Sequence, residues 1–132
     1  MLATGVDLVE IPRIARAVER FGERFLERVY TPDEVRFSRG RPAELAARFA
    51  AKEAVSKALG VGMRVLSPLG ISWREVETLN ERSGKPYVIL HGRARELAEA
   101  QGLDEWAISL SHDGGLAIAF VVATGSTKPQ TF

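Results

Sequence analysis

Two acids stand where acids are costly. Asp7 falls inside the apolar run Leu2 to Val9 (LATGVDLV), and Glu53 falls inside the Ala-rich helical pattern Arg48 to Gly60 (RFAAKEAVSKALG). A carboxylate among packed residues needs a partner. Two carboxylates from different elements, in a chain with no cysteine and only two histidines, suit a hard cation held by oxygen ligands. Magnesium takes one or two protein carboxylates and fills its shell with waters and substrate phosphates. Lys52, Lys57 and the bend from Gly60 to Gly62 would then complete a diphosphate site, because metal and lysine both neutralise phosphate oxygens. The simpler account is two unrelated acids in salt bridges. On that account Asp7 is a cap or ion-pair acid, and Glu53 pairs with Lys57 in the favourable acid-then-base order.

The histidines carry a weaker signal. His112 lies in SLSHDGG at an expected hairpin tip beside Asp113, a better place for a substrate-facing group than His91 at a strand end. A tip histidine is ordinarily just a turn residue. Ser109, Ser111, His112 and Asp113 are too close in sequence for a Ser-His-Asp triad. There is no EF-hand, Walker-type or dinucleotide-binding glycine pattern.

These groups must be carried by a strand and a helix. The pattern predicts a strand from Leu2 to Val9 and a helix from Ile11 to about Tyr30 with Ile14, Val18, Phe21 and Phe25 on its apolar face. Arg13, Arg16, Arg20 and Arg24 repeat along another face of that helix. Beside Glu19, Glu23 and Glu27 they read as a solvated, ion-paired surface or as a basic ridge for an acidic partner. Thr31 to Glu34 (TPDE) is a capping box opening a short helix that ends near Gly40. A long helix follows from Pro42 to the Gly60 and Gly62 stop signals, with Leu45, Phe49, Ala50, Ala54, Val55, Ala58 and Leu59 as its buried stripe. Gly70 to Leu79 is expected as a strand with a bulge, paired through the Arg82–Lys85 turn to Pro86–His91. A helix over Arg93–Gln101 and a last hairpin, Glu105–Ser111 with Leu116–Ala123, complete the order. Strands in hairpins predict a mainly antiparallel sheet packed against helices, an α+β fold.

Composition sets the outer bounds. The 132 residues, 45% hydrophobic and 27% charged, describe one domain over 1–125 with a loose tail over 126–132. A net charge of +1 gives no global reason to bind nucleic acid. No apolar run reaches membrane-spanning length, and acids with Pro12 stand where a signal peptide would need an apolar core. The expectation is a cytoplasmic protein with no membrane or nucleic-acid partner.

Two stretches taken together are more specific. GVDLVEIPRI (Gly5–Ile14) with RFAAKEAVSKALG (Arg48–Gly60) resembles the paired signature of the 4′-phosphopantetheinyl transferases, in their short, single-domain holo-[acyl-carrier-protein] synthase branch. SGKP (Ser83–Pro86) and SLSH (Ser109–His112) follow in the family's order, so the resemblance spans Leu2 to Val122. It implies transfer of 4′-phosphopantetheine from coenzyme A to a serine of apo-acyl-carrier protein, releasing adenosine 3′,5′-bisphosphate, as in fatty acid biosynthesis. It implies that Asp7 and Glu53 bind magnesium and that Lys57 contacts coenzyme A phosphates. His112 and the turn Gly84, Lys85 and Pro86 would line the same site, and Lys52 and Gly60 are taken with it. It further implies a homotrimer with active sites between subunits, His112 reaching the metal site of a neighbour. The arginines of the first helix would dock the acidic carrier protein. Longer, pseudo-dimeric members carry a second acid where this chain has Val9, so the ion here rests on two carboxylates, waters and the diphosphate. The base for the carrier serine stays open between Glu53, through a metal-bound water, and the His112–Asp113 pair. Two rival functions remain: a magnesium-dependent hydrolase of coenzyme A or a nucleotide, and a non-enzymatic trimeric module that binds an acidic protein.

Overall fold

The computed structural model describes residues 1–64 and 68–125, so the expected tail over 126–132 lies outside the described residues. The order is β1 (Leu2–Glu10), α1 (Ile11–Phe21), α2 (Glu23–Val29), α3 (Pro32–Ser38), α4 (Pro42–Leu59), β2 (Val76–Asn80), β3 (Pro86–Leu90), α5 (Gly92–Ala100), β4 (Glu105–Asp113) and β5 (Leu116–Thr124). The strands form an antiparallel sheet in the order β1-β5-β4 and a separate β2-β3 hairpin. The architecture is α+β with antiparallel pairing, as the hairpin pattern predicts.

The helix α4 is the centre of the molecule. Its small residues Ala46, Ala50, Ala51 and Ala54 are fully buried, with Leu45, Phe49, Val55 and Leu59 around them. One side lies on β1 and β5, where Val9, Ala117, Ala119, Val121 and Ala123 are buried. The small side chains let the backbones come close. At Gly5, an added Cβ would stand 1.9 Å from the carbonyl oxygen of Ala54, so no other residue fits that contact. Pro42 occupies the first turn of α4, and Gly60 closes it at φ 77°, a left-handed conformation that costs glycine little.

Two expected elements differ. The helix predicted over Ile11 to Tyr30 is broken at Gly22, whose φ of 57° and ψ of −133° lie outside helical space. Its N–H still donates to the Val18 carbonyl at 2.7 Å, ending α1 cleanly before α2 begins. The strand predicted from Gly70 begins only at Val76, because residues Trp73–Glu75 form a 3₁₀ turn. There Ser72 N–H donates to Glu75 Oε1 at 2.7 Å, a local capping bond that competes with sheet pairing.

The capping box at Thr31 and Glu34 forms as expected, and Glu34 does more than cap. Its Oε1 accepts from Thr31 N at 3.0 Å and from Lys52 Nζ at 2.7 Å, while Oε2 accepts from Thr78 N at 2.9 Å. Both Glu34 and Lys52 are fully buried, so this ion pair ties α3, α4 and β2 together beneath the surface.

A candidate active site on the central helix

Asp7 and Glu53 come together because β1 and α4 pack backbone to backbone. Asp7 shares a strand face with Gly5 and Val9, the face laid on α4. One α4 turn beyond Glu53, Lys57 Nζ donates to Asp7 Oδ1 and to the Val6 carbonyl, both at 3.0 Å. Burial pushes the Glu53 carboxyl above the ordinary carboxylate range, and the Asp7 charge pushes it further. Arg13 and Lys57 act in the opposite sense. The result is a half-buried acid pair with two cations beside it. Both acids offer oxygen alone, and among the described residues no cluster of three or more His, Cys, Asp or Glu side chains could enclose a metal. The donor set fits a hard divalent cation that draws its remaining ligands from water and phosphate.

A second group of expected residues gathers elsewhere on α4. His112, Ser111 and Leu110 of β4 line a cleft of about 200 Å³ with Gly84, Pro86, Asn80, Glu44 and Ala47. Gly84, at φ 94°, makes the turn from β2 to β3 that aims Lys85 and Pro86. Glu44 and Glu53 are nine residues apart on one helix, about 13 Å at about 1.5 Å per residue. The strands agree: Asp7 on β1 is in register with Ala119 on β5 and then with Leu110 on β4. The structure therefore brings Asp7, Glu53 and Lys57 together, and separately His112, Gly84 and Pro86. Gly60 stays with the first group, at the exposed end of α4.

Lys52 does not join either group. It was expected beside the cofactor, but its side chain is fully buried and spent on Glu34 and the Val76 carbonyl. Burial lowers its pKa against the pull of Glu34, so it is a core ion-pair residue and not a phosphate ligand. Arg48, by contrast, gave no signal in the sequence beyond its place in a run of alanines. It is buried, donates to Glu44 Oε1 at 3.0 Å and to Asn80 Oδ1, and its guanidinium lies 4.4 Å from the Phe37 ring centre. Asn80 in turn donates to the Gly84 carbonyl at 2.7 Å. Arg48 thus fixes the turn that lines the His112 cleft.

The expected basic ridge is divided by Gly22 yet stays on one side of the molecule. Arg13, Arg16 and Arg20 line a groove with Phe21, and Arg24 and Arg28 line the next one with Phe21 and Phe25. Among the described residues none of these arginines is ion-paired to Glu19, Glu23 or Glu27. The guanidinium of Arg13 lies 5.7 Å from the Phe49 ring centre, one α4 turn from Glu53.

The chain is similar to known proteins along nearly its whole length. Residues 3–121 match the family model of the 4′-phosphopantetheinyl transferase superfamily. A holo-[acyl-carrier-protein] synthase of Herpetosiphon aurantiacus is 50% identical over 127 residues, 95% of this chain and 100% of that one. Another, of Moorella thermoacetica, is 47% identical over 98% of this chain and 99% of its own. Among solved structures, the Helicobacter pylori holo-[acyl-carrier-protein] synthase in complex with coenzyme A superposes with a TM-score of 0.80 at 34% identity, covering 92% of this chain and 99% of that one. The Bacillus anthracis holo-(acyl-carrier-protein) synthase in complex with CoA (3′,5′-ADP) gives 0.74 at 30% identity, over 94% and 96%. With the family's model covering nearly the whole chain and full-length relatives at this identity, the chain belongs to the 4′-phosphopantetheinyl transferase superfamily.

Proposed function

We propose that the chain is a holo-[acyl-carrier-protein] synthase. It transfers 4′-phosphopantetheine from coenzyme A to a serine of apo-acyl-carrier protein and releases adenosine 3′,5′-bisphosphate. The observation that carries this reading is the Asp7–Glu53 pair with Lys57 against it, in a chain that matches the family from residue 3 to 121.

In the reaction the serine Oγ bonds to the phosphorus that bears the pantetheine arm, and the bond from that phosphorus to the bridging diphosphate oxygen breaks. Asp7 and Glu53 would hold magnesium, which supplies neutralisation of charge on the diphosphate. Lys57, half-exposed on α4, turns from Asp7 to phosphate oxygens and adds a fixed positive charge. The serine proton needs an acceptor, and the two candidates among the site residues are Glu53 and His112. His112 shares its cleft with the Gly84–Pro86 turn, which favours contact with the cofactor. His112→Ala is accordingly expected to raise KM for coenzyme A about tenfold with a smaller loss in kcat, about 1.4 kcal/mol of binding. A dominant fall in kcat would instead make it the base.

The assembly is the remaining part of the proposal. The face of the β1-β5-β4 sheet turned away from α4 is bare, and its β1 and β5 part is apolar around two cross-strand pairs: Val6 pairs with Phe120 and Leu8 with Ile118, and Leu8 is 59% exposed. A contiguous apolar sheet face marks an interface. Packing three such faces about one axis makes a trimer, and it lets the His112 cleft of one protomer meet the Asp7–Glu53 pair of the next. Residues 1–125 act as one domain of this trimer in the cytoplasm, in fatty acid biosynthesis. No helix among the described residues is long and apolar enough to cross a membrane.

The deciding experiment is mass spectrometry of an apo-acyl-carrier protein incubated with the chain, coenzyme A and magnesium, with and without EDTA. Gain of one phosphopantetheine, abolished by EDTA, is expected. Consumption of coenzyme A with no gain would make the chain a hydrolase. Neither change would leave a binding module.

A further inference from the structure

Lys57 forgoes its nearest acid. Glu53 stands one turn before it on α4, in the order that favours a helical ion pair. Among the described residues, however, Lys57 pairs with Asp7 alone. Two acceptors on β1 explain the choice. Asp7 Oδ1 and the Val6 carbonyl each take a hydrogen bond from Lys57 Nζ at 3.0 Å. The side chain of Asp7 is 13% exposed and that of Lys57 54%, so the acid is fixed in the fold while the ammonium stands at the edge of solvent.

The other cation at the acid pair is seated differently. The charge of Arg13 bears on Glu53. Its guanidinium lies 5.7 Å from the ring centre of Phe49, and Phe49 stacks on Trp73 at 4.6 Å. Arg13 thus rests on a two-ring stack. Lys57, in the last turn of α4, has a flexible four-carbon stem and three rotatable donors. Of the two cations, Lys57 is the one that can leave.

The carboxylate that Lys57 holds is also one of the two assigned to a divalent cation above. An ammonium and a metal ion repel each other, and both draw on Asp7. Phosphate oxygens attract both. We propose that Lys57 is a placeholder that couples the two ligands of the site. It holds Asp7 until a diphosphate draws it away, and its departure opens Asp7 to the cation. The proposal deepens the transferase reading above and rests on it. A lysine on Asp7 for about nine-tenths of the time would leave the apparent cation affinity about tenfold below its intrinsic value. The diphosphate recovers that factor, and by reciprocity the cation tightens coenzyme A to the same extent. Cation and coenzyme A then arrive together, and the acid pair alone takes up little of either.

Manganese(II), followed by the electron paramagnetic resonance of the free ion, is the probe. Wild type and Lys57→Met are titrated with and without saturating coenzyme A, with coenzyme A alone as the blank. Without coenzyme A, Lys57→Met is expected to bind the ion about fivefold tighter than the wild type, or more. Coenzyme A should tighten ion binding about tenfold in the wild type and at most about threefold in Lys57→Met. Equal affinities of the two proteins without coenzyme A would overturn the proposal. So would a gain of the same size in both conditions, which would make Lys57 a background charge. If Lys57→Met fails to fold, Lys57→Gln carries the same expectation. Asp7→Asn tests the underlying reading separately, because it should abolish tight ion binding in either condition. Unchanged ion binding in Asp7→Asn would refute the cation site itself. Its loss there, beside an indifferent Lys57→Met, would refute the placeholder and leave the site standing.

Discussion

Gly5→Ala asks how far the acid pair depends on backbone contact. A Cβ on Gly5 would lie 1.9 Å from Ala54 O and 3.0 Å from Ala58 N. Neither is the end of a flexible side chain. To regain ordinary van der Waals contact, β1 and α4 must part by about 1.5 Å. Asp7 is two residues along that strand on the same face, and Glu53 is the neighbour of Ala54 on the helix. The same movement would open the 3.0 Å Lys57–Asp7 ion pair beyond hydrogen-bond reach and widen the gap between the carboxylates. Overpacking of this kind costs about 3 kcal/mol at the upper end of its usual range. For a chain of this length that lowers the melting temperature by about 10 °C. Displacing site groups by about 1 Å costs a further factor of about 100 in kcat/KM. Thermal unfolding followed by circular dichroism, and transfer assays on the folded variant, measure the two effects separately. A Gly5→Ala protein with wild-type melting temperature and wild-type turnover would refute the account of how the site is positioned.

Other variants separate the site from its support. Glu53→Gln removes a carboxyl whose folded pKa is raised, so the folded state binds that proton more tightly and loses stability as pH rises through the range above the unfolded value. Without divalent cation at neutral pH the variant should be more stable by about 0.5 kcal/mol, after discounting for solvent screening, while transfer falls at least about 100-fold; equal or lower stability in urea melts would contradict the reading. Lys52→Met leaves Glu34 buried without its cation and should cost about 3 kcal/mol or more in urea unfolding, with KM for coenzyme A unchanged in the folded protein. A selective rise in that KM would restore Lys52 to the cofactor site. Phe120→Glu puts a charge on the bare sheet face beside Val6, and sedimentation should read a monomer with native circular dichroism and little activity; a trimer would sink the assignment of that face.

What could be read from the sequence was what short-range pattern governs. The capping box of Thr31 and Glu34 spans three residues, and the Gly60 stop ends an Ala-rich run, so local chemistry decides both. Gly22 is readable only in part: a glycine within a periodic pattern is compatible with a continuing helix, and it equally permits the positive φ of 57° that ends α1 here. Lys52 was misplaced for a different reason. Its partner Glu34 is eighteen residues away and Thr78 lies further still, so nothing near it in the sequence marks it as interior. The same holds for Arg48 and Asn80, thirty-two residues apart. In β1, apolar residues fall on both faces, Gly5 and Val9 inward and Leu2, Val6 and Leu8 outward. Alternation could not say which face α4 covers and which is left exposed.

Lys52 and Glu53 are neighbours with opposite fates, and the contrast explains how α4 works. Successive residues on a helix point about 100° apart, so one helix can set Lys52 inward and Glu53 toward β1. The Lys52–Glu34 pair uses its charges up: each is fully buried, and the separation is 2.7 Å. The Asp7–Glu53 pair leaves its charges unspent, two acids held close and only partly balanced by Lys57 and Arg13. Rotating α4 by about 20° would carry a side-chain tip some 5 Å from the axis by about 2 Å, enough to break the buried pair and strand two charges in the core at a cost of about 3–5 kcal/mol. That penalty locks the rotation of the helix. Like charges at the site can then be held together without the fold relaxing to separate them, which is what the proposed cation site requires of its two carboxylates.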